Sequence, residues 1–217
     1  KVMQILKEDF AGFDAQLIIM DVVPWMLPYY EASGIQFEIE DNRDYMDYTF
    51  TPEQFLAGMD MQDDRYRYNY FKRRFAYETE EITPFHREEI REFMEREWCG
   101  EKTCEECHCG CLLRVIDNLV PVFDKINGIL VRVEGKMAGL CIVSCRNGLG
   151  VYQYKNAVNR IKGINEYLLR ESFERYLQSA DTINYTEDMG VENLRYYKEH
   201  MAPAHTLLSK LTLTERG

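Results

Sequence analysis

Residues 149–165 read LGVYQYKNAVNRIKGIN, from Leu149 to Asn165, and the fold turns on them. Leu149 to Lys155 is a strand-length run. From Ile161 to Leu177 the side chains of Ile164, Leu168, Leu169, Phe173 and Leu177 then recur on one helical face. Between strand and helix lies a turn holding Arg160, Lys162, Gly163 and Asn165. Gly lets the backbone come close to an anion, and the first N–H groups of a helix have no intrahelical acceptor, so a strand running through such a turn into a helix suits a phosphate. A second reading of the same residues is that Gly163 merely permits close helix–strand packing while Arg160 and Lys162 are solvated.

Working upstream, Gly128 to Val133 and Met137 to Ser144 are strands, with Glu134-Gly135-Lys136 and Arg146-Asn147-Gly148 as turns. Asn-Gly is the strongest short hairpin signal. Before them come a strand from Tyr77 to Ile82, a helix from Pro84 to Trp98, a Cys-rich turn and a helix from Leu112 to Phe123. Downstream, Thr182 to Tyr185, Val191 to Glu199 and His205 to Leu213 read as strand, helix, strand. Residues before Tyr77 read as a helix (Lys1 to Phe13), a buried strand (Gln16 to Val23), a short helix bracketed by Pro24 and Gly34, and an alternating strand at Ile35 to Glu40. A helix start follows at Thr51-Pro52-Glu53. Arg65, Tyr66, Arg67, Tyr68, Tyr70, Phe71, Lys72, Arg73 and Arg74 form a basic, aromatic connector without Gly or Pro.

The 217 residues are 46% hydrophobic and 29% charged, which excludes a disordered tail or a small disulfide scaffold. Lys+Arg 26 against Asp+Glu 37 leaves a net charge of −11, a sign that repels phosphate polymers and disfavours a tRNA donor. It also favours reading the Arg65 to Arg74 connector as an internal packing helix. No apolar run reaches the roughly 20 residues of a membrane helix. The chain opens on Lys1 with no signal segment, and missing upstream sequence is the expectation. Seven Cys, five of them between Cys99 and Cys111, do not form the even, dispersed pattern of a secreted disulfide framework. A reducing cytoplasm fits that usage. Within the cluster, Cys104, Cys107, Cys109 and Cys111 could hold zinc as four thiolates, although a second matched C-x-x-C is missing. Free thiols on a turn are the preferred reading there. Cys141 and Cys145 fall on a strand that should be buried, and Trp25 and Trp98 are assigned to packing.

The order strand, helix, helix, three antiparallel strands, helix, strand, helix, strand resembles the α/β GNAT acyltransferase fold. There the turn after the central strand binds the pyrophosphate of acyl-CoA through a Q/R-x-x-G-x-G/A motif, and Arg160-Ile161-Lys162-Gly163-Ile164-Asn165 is similar to it. The resemblance implies acyl-CoA as cofactor, bound by Arg160, Lys162, Gly163 and Asn165.

Asn184-Tyr185-Thr186-Glu187-Asp188-Met189-Gly190, continuing to Leu194-Arg195, resembles the N-x-x-E-D-x-G-x-x-x-L-R signature of an uncharacterised bacterial family related to the C-terminal domain of phosphatidylglycerol lysyltransferase. Arg43-Asp44-Tyr45-Met46-Asp47-Tyr48 is similar to its D-Y-x-D-Y segment, and Ile161-Lys162-Gly163, Lys198 and Pro203 match in order. The resemblance implies tandem GNAT-like units: residues 1–76 as a partial first unit with its linker, and 77–217 as the complete second. It further implies a transferase moving an acyl or aminoacyl group to an amine or hydroxyl, with a small molecule or lipid headgroup as acceptor. Glu187 and Asp188 are the candidate general bases, though an Asp before Gly and a helix is also an ordinary cap. Tyr152 and Tyr154 should face the cleft, with Tyr154 the candidate acid, and Asn184 and Tyr185 should orient substrate. A noncatalytic binding module on the same fold, or a metal sensor built on the Cys cluster, are the competing functions.

Overall fold

The computed structural model of the chain describes residues 17–99, 126–201 and 205–215. In chain order the elements are β1 (Ile18–Val22), α1 (Leu27–Glu31), β2 (Phe37–Asp41), β3 (Asp47–Phe50), α2 (Pro52–Met59) and α3 (Gln62–Arg74). Then come β4 (Tyr77–Glu81), α4 (Arg87–Met94), β5 (Asn127–Val133), β6 (Lys136–Arg146), β7 (Leu149–Ala157) and α5 (Ile164–Ser172). The chain closes with β8 (Thr182–Asn184), α6 (Glu192–Met201), β9 (Thr206–Leu208) and β10 (Leu211–Glu215). The expected helices at Lys1 to Phe13 and Leu112 to Phe123, together with Pro203, lie outside the described residues. Contacts group the chain into two compact units, each drawn from separated stretches: Lys1–Thr49, Thr186–Glu199 and His205–Gly217 in one, Phe50–Tyr185 and His200–Ala204 in the other.

In the second unit β4, β5, β6 and β7 pair antiparallel in order, and β8 joins β7 in parallel. The two hairpin turns carry positive φ at both central residues, Glu134 (52°) with Gly135 (75°) and Asn147 (51°) with Gly148 (77°). That is the twist-matched turn that Asn-Gly favours. A parallel partner requires a crossover, and α5 supplies it. Ile164, Leu168 and Leu169 of α5 are buried against one sheet face, while Ile90, Phe93 and Met94 of α4 pack with Leu130 and Leu140 on a second core. Phe55, fully buried, meets the rings of Phe50, Tyr152, Phe173 and Tyr185. Burying each such side chain contributes about 1.5–3 kcal/mol.

Two irregularities of β7 decide where its side chains point. Its ladder to β8 runs only from Leu149↔Thr182 to Val151↔Asn184, while its ladder to β6 continues to Ala157, so the strand outlasts its parallel neighbour. The register to β6 also slips between Ile142↔Tyr154 and Val143↔Tyr152, which makes Gln153 an extra, bulged residue. The bulge corrects the expectation that Tyr152 and Tyr154 face one way. Tyr152 turns to α5 and donates to the Leu169 carbonyl at 2.8 Å, whereas Tyr154 packs on the α4 core.

In the first unit β10 lies between β1 and β2, all antiparallel, and aligns Leu213 with Ile19 and Ile39. Leu27 and Tyr30 pack against the cluster of Val22, Leu211 and Leu213, while Ile39 stays exposed. Trp25 does not pack as expected: it is 69% exposed, edge-on to Tyr29. β3 pairs with β9, from Asp47↔Leu208 to Thr49↔Thr206. The single strand expected at His205 to Leu213 is two, because the chain turns at Ser209-Lys210 to place Lys210 Nζ 2.8 Å from Asp47 and Ser209 Oγ 3.1 Å from Asp41. Among the described residues no helix is long and apolar enough to cross a membrane.

Candidate functional site

The turn between β7 and α5 is built as the sequence implies, with Gly163 in the left-handed region (φ 87°) as the cap of α5. What lies against it is α3. A Cβ on Gly163 would collide with the Arg67 carbonyl oxygen and sit 3.0 Å from Phe71 Cβ, so glycine is required here for helix approach. Phe71 is fully buried and rings with Tyr77 and Tyr167, which fixes α3 over the first turn of α5. Lys162 Nζ lies 4.9 Å and 5.1 Å from the ring centroids of Tyr66 and Tyr70. Arg67 pairs with Glu166 of the first helical turn at 3.2 Å. Burial and then Glu166 raise the Asp64 carboxyl above its ordinary value. Arg160 points elsewhere: it is 73% exposed and holds Glu97 with two nitrogens, at 3.0 and 3.4 Å. Asn165 is half-buried in the same first turn of α5. The helix terminus expected to receive pyrophosphate thus carries a carbonyl oxygen and carboxylates against it, a poor match for an anion. The residues do not fit the pyrophosphate of acyl-CoA at this turn.

Asp188 is wholly buried and takes five hydrogen bonds. Its Oδ2 accepts from Arg43 Nη1 (3.1 Å), Tyr48 Oη (2.8 Å) and Arg195 Nε (3.0 Å), and its Oδ1 accepts from Arg195 Nη2 (2.9 Å) and the Gly190 amide (2.9 Å). The Gly190 bond is the local cap that the sequence suggested; the two guanidiniums are not legible there. Burial alone would raise this carboxyl, but Arg195, Tyr48 and the Gly190 amide outweigh it and hold Asp188 well below the usual carboxylate range. Arg43 Nη2 continues to Glu199 at 3.1 Å and Arg195 Nη2 to Asp44 at 2.6 Å. Lys198, 3% exposed, donates to the carbonyls of Thr186 (3.2 Å) and Glu187 (2.8 Å) and so braces a turn with positive φ at Thr186, Met189 and Gly190. Two motifs some 145 residues apart therefore meet in one ion-pair network. Glu187, 29% exposed, meets Lys210 Nζ at 3.5 Å.

Tyr154 accepts from the Asn156 amide at 2.5 Å and packs on the α4 core, which makes it a wall of that core. Asn184 and Tyr185 are buried, Tyr185 against Phe55 and Tyr152. Sequence reasoning overlooked Lys155. It lies on β7 opposite Cys141, past the end of the β8 ladder, in the field of the Tyr185 phenol and the Glu166 carboxylate. Burial would lower its ammonium, yet Tyr185, Cys141 and Glu166 together carry it above its ordinary value. Burial pushes the neighbouring Cys141 thiol up to about 11, although Ser172 and Lys155 pull the other way. Cys145 is only half-buried. The proposed zinc ligands Cys104, Cys107, Cys109 and Cys111 lie outside the described residues, among which no group of His, Cys, Asp and Glu could hold a metal ion.

A strand that outlasts its parallel neighbour, bulged and followed by a Gly-capped helix, defines the GNAT fold. Solved structures agree. The chain is similar to a conserved protein of unknown function from Bacteroides thetaiotaomicron (25% identity, 99% of this chain and 75% of that one, TM-score 0.78). It is also similar to L-PGS from Bacillus licheniformis (13%, 100% and 73%, TM-score 0.66), and to a tandem GNAT protein from the clavulanic acid biosynthesis pathway (11%, 98% and 68%, TM-score 0.57). Residues 1–209 match the family described as phosphatidylglycerol lysyltransferase, C-terminal, and the chain belongs to that family. No curated protein matched the sequence.

Proposed function

We propose that this chain is a transferase that passes an aminoacyl group, carried as an ester, to a hydroxyl or amine acceptor such as a lipid headgroup, and that it does so without holding acyl-CoA at the α5 terminus. The observation that carries this reading is the seating of α3 on Gly163, which brings the Arg67 carbonyl against the turn that a pyrophosphate would have to approach. Family membership supports the aminoacyl chemistry, since the family takes its description from a lysyltransferase. Lys155, beside Tyr185 where β7 outlasts β8, is the cation best placed to draw charge from a carbonyl oxygen. In this reading Asp188 is a positioning residue, because a carboxylate shared by two guanidiniums and a phenol is too weak a base to take a proton. Of the two carboxylates of that motif, Glu187 then remains the candidate base.

Calorimetric titration of CoA and acetyl-CoA into the purified chain, with a Lys162→Ala variant alongside, tests the donor. No saturable binding is expected. Micromolar binding that disappears in Lys162→Ala would place CoA at the turn and overturn the reading.

A further inference from the structure

In the first unit the sheet ordered β1, β10, β2 has two outer edges, and they differ. Along β1 the ladder to β10 slips between Ile19 and Val22, where Asp21 takes a left-handed φ of 59°. An edge interrupted in this way resists a further strand. Along β2 the ladder to β10 is regular from Leu211↔Asp41 to Glu215↔Phe37, and the strand Phe37–Asp41 holds neither Gly nor Pro. Among the described residues β10 is the one strand beside β2, so the outer side of β2 carries no second ladder.

That outer side is apolar on one face and anionic on the other. A groove of about 450 Å³ adjoins it, lined by Leu27, Tyr30, Ile35, Ile39 and Leu213, with Glu31 the one charged residue of the lining. Ile39 stands opposite Leu213 in the ladder, so it shares the groove face, and it is 52% exposed. Glu38 and Glu40 stand opposite Thr214 and Thr212 and therefore project from the other face, where both are exposed. From Leu27 to Asn42 the sequence holds four carboxylates, Glu31, Glu38, Glu40 and Asp41, and neither Lys nor Arg.

The charge pattern selects the occupant. Pairing β2 with β2 of a second copy about Ile39 would set Glu38 against Glu40 across the new ladder, and like charges directly opposite are destabilising. An extended segment that alternates apolar with cationic residues satisfies both faces at once. Its apolar side chains enter the groove beside Ile39, its Lys or Arg side chains meet Glu38 and Glu40, and its backbone completes the ladder. We propose that β2 receives such a segment from a partner protein as an added strand. The site lies wholly within the first unit and does not depend on which donor or acceptor the transferase uses.

Fluorescence anisotropy with a short, end-capped, labelled peptide alternating lysine with valine is the test. Three analogues accompany it: one with glutamate for lysine, one with serine for valine, and one N-methylated throughout, which keeps its charge but cannot form a ladder. The lysine–valine peptide should bind saturably, and each analogue should bind about tenfold more weakly or worse. In the complex the backbone amides of β2 should exchange hydrogen more slowly. Glu38→Lys combined with Glu40→Lys should weaken the peptide by about tenfold or more, whereas Glu53→Lys with Glu78→Lys, the same charge change at exposed sites of the second unit, should leave it unchanged. No binding of the lysine–valine peptide would overturn the proposal. So would equal binding of the N-methylated analogue, or equal weakening by the two charge reversals, since either reduces the contact to attraction by net charge. A dimer of the chain alone in sedimentation, lost in Ile39→Ser, would make a second copy the occupant and would also overturn it. The CoA titration is untouched by any of these results.

Discussion

Arg195 grips Asp188 with two nitrogens, Nε on Oδ2 at 3.0 Å and Nη2 on Oδ1 at 2.9 Å, and so closes the turn that leads into α6. With Arg43 and Tyr48 on the same carboxylate, the Asp188 side chain has no exposed surface. Its removal takes the buried acceptor from both guanidiniums and leaves Arg43 with Glu199 and Arg195 with Asp44. Asp188→Ala should cost about 3–5 kcal/mol, the usual penalty for breaking a buried ion pair from one side. Glu187→Gln, at a half-buried and longer pair with Lys210, should cost less, about 1 kcal/mol. Urea midpoints of the two variants check the contrast; equal losses would show that Asp188 is not the hub.

The same network sets an acid limit. Asp188 has a folded-state pKa depressed below its ordinary 3.8, so its stabilisation is fully present above that value. As pH falls below about 4 the unfolded chain binds a proton that the folded carboxyl refuses, and stability drops progressively towards the folded value. Unfolding free energy measured from about pH 6 down to about pH 2 should therefore fall more steeply for the wild type than for Asp188→Asn. Parallel curves would remove Asp188 as the source.

How much of this the sequence disclosed depended on distance along the chain. The β6–β7 hairpin was legible because Asn147-Gly148 needs no partner beyond itself, and α5 was legible because its apolar residues recur locally. Asp188's local bond to the Gly190 amide was legible too. Its bonds to Arg43 and Tyr48 were not, since nothing in a single sequence reports a contact 145 or 140 residues away. At Gly163 both sequence readings were local, and neither named α3, the helix far upstream that packs on it. Lys155 escaped notice because a lone Lys in an alternating strand reads as a solvent-facing position. The bulge at Gln153 and the end of the β8 ladder, which give it its surroundings, leave no mark in composition.

Gly163→Ala tests the seating of α3 directly. The substitution forces a Cβ into a left-handed backbone and against the Arg67 carbonyl, with no flexible side-chain end to yield. A loss of about 1–3 kcal/mol is expected, the range for strain held at such positions. Denaturant unfolding measures it. A neutral result would mean that α3 can lift from α5, and would reopen the terminus to an anion.

The bulge in β7 makes a prediction about coupling. Tyr152 and Tyr154 are two residues apart, and in an unbulged strand they would share a face and partners. Here Tyr152 donates to Leu169 in α5, while Tyr154 accepts from Asn156 beside the α4 core. Tyr152→Phe should cost about 1 kcal/mol through the lost bond to a helix carbonyl. Tyr154→Phe should cost about as much, because it leaves the Asn156 amide, 6% exposed, without that acceptor. With one hydroxyl bonded in α5 and the other beside the α4 core, the double variant should equal the sum of the two within about 0.5 kcal/mol. A larger coupling energy from the double-mutant cycle would mean that the two hydroxyls share one environment, and that the bulge does not divide the strand between two faces.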